Sequence, residues 1–138
     1  MSALRRRRGE DGFSSVEVVI IAPALAVVIV LMVAFARAVT ARSDLENAAN
    51  AAARAGSLQR SYPAALAAAR QLLAEDLGTE CAGGPDPSWS PSASFAPGGD
   101  FVVHVSCAVG LLGVPGVPPD VDLHAVGVSP IDPLRGLS

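Results

Sequence analysis

The side chains with most chemical scope in this 138-residue chain are Cys81, Cys107, His104 and His124. Two thiols and two imidazoles are the donor types of a zinc site. Their spacing argues against one. Residues 101–109 alternate apolar and polar, so His104 falls out of phase with Cys107 and the two point to opposite faces of a strand. In an exported domain the two cysteines pair instead. A Cys81–Cys107 disulfide would close about 27 residues and stabilise by roughly 3–4 kcal/mol on the chain-entropy account. Ser14, Ser15 and Ser129 have no base partner. There is no Gly-rich phosphate loop, no nucleophile elbow and no cluster of His and carboxylate at catalytic spacing. No catalysis is expected, and neither a metal nor another cofactor.

Glu17 is the other unusual group. It abuts VVIIAPALAVVIVLMVAFA, an uncharged run from Val18 to Ala36. At 1.5 Å per residue that run covers about 28 Å, close to the hydrocarbon thickness of a bilayer. A soluble remainder of this size could hardly wrap such a helix on all sides. A single transmembrane helix is therefore expected, with the lipid bilayer as its first partner. The cluster Arg5, Arg6, Arg7 and Arg8 precedes the run, while Arg37 and Arg42 after it are soon offset by Asp44 and Glu46. That bias puts the N-terminus in the cytoplasm and the rest outside, as a single-pass protein of the cell membrane. Ala34-Phe35-Ala36 also has the small-x-small form of a signal-peptidase site. Cleavage after Ala36 would release a small secreted binding domain, and the other alternative is a permanently anchored envelope protein with no assembly role.

The basic leader, Gly12, Phe13, then Glu17 as the fifth residue after Gly12, resembles a type IV prepilin leader. With Val16-Glu17 and Pro23 it resembles, more narrowly, the opening of the TadE-like family of Flp/Tad pilus systems. The resemblance covers about residues 12–42. The loose match of the ending Val128–Arg135 adds little. It implies a minor pilin or pseudopilin, cut between Gly12 and Phe13 by a prepilin peptidase. Its partners would be other pilin or pseudopilin subunits and the Tad assembly machinery. Glu17 would be the assembly carboxylate, neutralising a neighbouring subunit's terminal amine. A paired charge in hydrocarbon costs far less than a lone one. Where the family prefers an aromatic after the glutamate, this chain has Val18. Pro23, lacking an N–H, should kink the helix inside the membrane.

Other elements must hold these groups in place. An Ala-rich stretch continues from Arg37 to about Leu58 without proline and should extend the helix. Leu45, Ala48, Ala49, Ala52, Ala55 and Gly56 form a narrow small-residue stripe. It could face neighbouring rods or the chain's own second helix. That second helix is expected over Pro63–Leu77, with Leu66, Ala69, Leu73 and Leu77 on its apolar side, Ala65 and Leu72 at their flank, and Gly78 as its stop. Cys81 to Gly99 should be loop, with room for a short strand near Trp89–Phe95. Phe101, Val103, Val105, Cys107 and Val109 define one strand and Val121, Leu123 and Ala125 another. The apolar Gly110–Asp120 loop joins them.

The expected architecture is α+β. Residues 1–12 form a cytoplasmic leader, 13–36 the membrane helix, 37–60 its extension and 61–138 a small outer domain. All ten basic residues are arginine and the net charge is −3, with everything after the leader clearly acidic. No nucleic-acid partner is expected.

Overall fold

The computed structural model describes residues 15–113 and 118–134. The elements in chain order are α1 (Ser15–Ser57), α2 (Tyr62–Leu77), β1 (Asp86–Trp89), β2 (Asp100–Gly110) and β3 (Asp120–Pro130), with a short 3-10 turn at Ser92–Ser94. The chain divides into two compact units, Met1–Val33 and Ala34–Ser138. The described part of the first is the N-terminal portion of α1, and everything else belongs to the second. The fold is mixed α+β: a long apolar N-terminal helix, a second helix and a small antiparallel sheet.

In the second unit, α1 ends at Ser57. A four-residue link leads to α2, which opens on Tyr62 with Pro63 in its first turn, where a missing N–H costs nothing. Gly78 follows the last helical residue, yet it keeps right-handed backbone angles (φ −60°) and its N–H donates to Ala74 O. The left-handed turning is done by Gly83 and Gly84, at φ 81° and 86°. Only glycine adopts such angles without strain.

The sheet has the order β1-β2-β3, antiparallel throughout. The β2–β3 register pairs Asp100 with Pro130 and Gly110 with Asp120, so the hairpin is in register along its full length. β1 occupies the outer edge of β2, pairing Asp86 with Ser106 and Trp89 with Val103. It ends on Trp89, the first residue of the Trp89–Phe95 segment near which a short strand had room to form. Residues 92–94 are 3-10 instead, and Pro87 within β1 is tolerated because β1 is an edge strand.

Every second residue of β2 from Phe101 to Val109 is buried, Cys107 included, whereas His104 is exposed. This buried face meets Leu45, Ala48, Ala49, Ala52 and Ala53 of α1 and Ala65, Ala69, Leu73 and Leu77 of α2 in one core. The small-residue stripe of α1 therefore packs inside its own domain. Small side chains serve a purpose here, because they let backbones approach closely. A Cβ on Gly127 of β3 would collide with the backbone of Ala49 and Asn50, and one on Gly56 would collide with the ring of Phe101.

Phe101 is fully buried and is the hub of the outer domain's aromatic residues. Trp89 stacks on it at 6.2 Å between centroids, while Tyr62 and Phe95 meet it edge-on at 6.5 and 5.8 Å. Burying a phenylalanine contributes about 1.5–3 kcal/mol, and edge-to-face neighbours add to that. Tyr62 Oη donates to Ser90 O at 2.7 Å, and Ser57 shares a 2.9 Å hydrogen bond with Ser129. The hydroxyls near this core are thus partnered.

Candidate functional site

Among the described residues, the N-terminal part of α1 is the longest stretch of exposed apolar side chains. From Val18 to Val33 its apolar side chains are exposed, Val19, Ile20 and Met32 by about two-thirds or more. Its most apolar 18-residue window has a mean hydropathy of 3.1, and none of that window is buried by the chain. By length and composition α1 is a candidate membrane span. A bare helix of this kind is stable in hydrocarbon, where its backbone groups are satisfied internally and its side chains need no water.

Glu17 is the third residue of α1, so the carboxylate belongs to the helix that carries the apolar run. Pro23 lies inside α1, and the helix continues through it. Gly12, Phe13 and the Arg5–Arg8 cluster lie outside the described residues. Beyond the run the helix surface turns polar. Thr40 Oγ1 donates to Ala36 O at 3.0 Å, and Arg42 pairs with Glu46 at 3.0 Å across one turn. That pair is well exposed and contributes only a few tenths of a kcal/mol. The transition from an unbroken apolar surface to such a surface falls at Arg37.

A family model described as TadE-like protein matches residues 12–54. That segment is similar to the TadE-like family. The matched segment starts at Gly12, contains Glu17, Pro23 and the whole apolar run, and reaches into the part of α1 that lies in the core. A TadE-like segment carrying a candidate membrane span fits a protein associated with a Tad pilus. No curated protein and no solved structure matches the chain.

The remaining sequence candidates fall in the outer domain. Cys81 and Cys107 are joined as a disulfide with Cα atoms 5.2 Å apart, both buried. Beside it Ala82 N–H donates to Ala108 O at 2.8 Å, so the segment after α2 is held to β2 by a covalent and a hydrogen bond together. His104 pairs with Val126 and His124 with Ser106, which makes the histidines diagonal neighbours on the outer sheet face. With Asp86 and Ser88 they line an open depression of about 200 Å³. Among the described residues no group of three or more His, Cys, Asp or Glu could hold a metal ion.

Two contacts were not visible in the sequence. One is the approach of Gly127 to α1. The other sets the guanidinium of Arg37 against Gly113 in the β2–β3 turn. Neither glycine carries a local pattern that names its distant neighbour.

Proposed function

We propose that this chain is a TadE-like minor pilin or pseudopilin that takes part in assembling a Flp/Tad-type pilus or a related secretion apparatus, and that it is not an enzyme. The observation that carries the reading is the coincidence of the family match, residues 12–54, with an apolar helix that none of the described residues buries. In this reading α1 crosses the cell membrane once. Arg5–Arg8 hold the N-terminus in the cytoplasm, and the outer domain stands on the other side. A prepilin peptidase cuts between Gly12 and Phe13, which leaves the Phe13 amine four residues before the Glu17 carboxylate in the sequence. Glu17 then meets the terminal amine of a neighbouring pilin subunit. Two opposite charges in hydrocarbon stabilise the encounter only as a pair, so the contact selects a specific register between helices.

The mature protein should begin at Phe13, which N-terminal sequencing of membrane-extracted material reads directly. A mature chain beginning at Arg37 would instead mean release by signal peptidase and would end the pilus reading. Glu17→Ala should leave membrane insertion unchanged while most of the protein fails to enter the assembled apparatus. Cell fractionation and blotting of sheared surface fractions measure both quantities. Normal incorporation of that variant would remove the role given to the carboxylate.

A further inference from the structure

With Cys81 and Cys107 joined inside the core, the imidazoles of His104 and His124 remain together on the exposed face of the sheet. The register makes them close neighbours. His104 stands opposite Val126 and His124 opposite Ser106, so the two occupy adjacent same-face rows of the β2–β3 ladder. Diagonal positions of this kind lie roughly 7–8 Å apart, with the Cβ atoms somewhat closer, within reach of ring side chains. Among the described residues neither imidazole has a hydrogen bond or an ion pair. Both rings line the same open depression, with Asp86 and Ser88 of β1 across from them. Ser106, between Asp86 and His124 in one row, is short, and its hydroxyl turns aside to donate to Asp86 O at 3.3 Å. Among the described residues no arginine lines this depression, while Asp86 brings a carboxylate to it. The local field thus favours a cation.

We propose that His104 and His124 form a two-imidazole site for a late first-row divalent ion, zinc or copper(II), with water in the other coordination positions. Imidazole nitrogen is a donor these ions prefer, whereas calcium and magnesium take oxygen. A metal–nitrogen distance of about 2.0–2.1 Å is met when both rings swing toward the middle of the diagonal. Their exposure leaves them free to do so. Structural zinc centres use four protein donors, so two donors make an exchangeable surface site. That agrees with the lack of any three-donor group among the described residues. A bound ion ties β2 to β3 on the face opposite the core. The site shares no residue with the matched segment 12–54, and it stands whether or not α1 crosses a membrane.

Copper(II) chloride titrated into the untagged, detergent-solubilised full chain provides the test, followed by calorimetry and by quenching of Trp89. Trp89 is the chain's only indole and ends β1 one residue after Ser88, which pairs with His104. Binding should saturate at one ion per chain, and the copper(II) electron paramagnetic resonance spectrum should show two imidazole nitrogens. His104→Ala and His124→Ala, both at exposed positions, leave the core intact. Each should weaken binding by about a hundredfold, the loss expected when a second donor is no longer held beside the first. The double variant should lose little beyond either single one. Zinc chloride, followed by calorimetry, should rank these proteins in the same order. Equal affinity of the native chain and either single variant would overturn the proposal. So would a native complex with one imidazole nitrogen, or one ion shared between two chains.

Discussion

Gly127→Ala should lower the stability of the outer domain by about 3 kcal/mol or more, the upper end of what overpacking a core costs. The atoms that a methyl group would meet are the carbonyl of Ala49 and the amide of Asn50, both backbone inside a helix. A side chain can turn aside, but a helical carbonyl moves only by breaking its own hydrogen bonds. The opposing gain is small, since replacing a strand-interior glycine recovers no more than about 1 kcal/mol of backbone entropy. Trp89 is stacked on the fully buried Phe101 and reports the core, so urea unfolding of the detergent-solubilised chain can be followed by its fluorescence. Val126→Ala is the comparator. Val126 is the next residue, 52% exposed on the opposite face, and its truncation should cost less than about 1 kcal/mol. Equal midpoints for the two variants would show that β3 does not sit directly on α1.

Replacing Cys81 and Cys107 together by alanine should cost about 3–4 kcal/mol, because the unfolded chain regains the freedom of a loop of about 27 residues. The enclosed segment contains β1, the 3-10 turn and most of β2, so the bridge constrains the part of the domain with the least regular structure. Alanine is the informative replacement. Both sulfurs lie in the buried core, and serine would add the separate cost of an unsatisfied hydroxyl. Small domains total about 5–15 kcal/mol, so the loss is a large fraction of what holds this one together. A thiol reductant added to the native chain should reproduce most of it in the same urea experiment. A domain indifferent to both treatments would mean that its unfolded state is already compact enough for the bridge to add nothing.

The phase of β2 was legible because Phe101, Val103, Val105, Cys107 and Val109 alternate without interruption, and all of them are buried. The pairing of the cysteines followed from that phase once export was inferred from the apolar run. α2 was legible in extent but slightly rotated. Ala65 is fully buried where Leu66 is only partly covered, since an alanine-rich helix has no sharp apolar edge. β1 was legible only as room for a short strand near Trp89: four residues including a proline alternate over too short a stretch to read, and owe their strand to the neighbour they pair with. The partner of the α1 stripe was undecidable from spacing, because a run of alanines fits a foreign helix as well as the chain's own sheet. The candidate assembly helix, by contrast, was the clearest feature of all. Nineteen residues without charge need no tertiary context to be read.

The continuity of α1 through Ala36 has a mechanical consequence. The same helix that carries the apolar run supplies Leu45, Ala48, Ala49, Ala52 and Ala53 to the outer core. Among the described residues α1 runs from Ser15 to Ser57 as one helix. A pull along the part of α1 that lies in the core becomes a shear between α1 and the sheet. The closest points of that contact are Gly127 against Ala49 and Gly56 against Phe101. Packed backbones resist shear collectively, since many contacts must slip at once. Under such a load the first failure of the domain is expected at the α1–sheet seam.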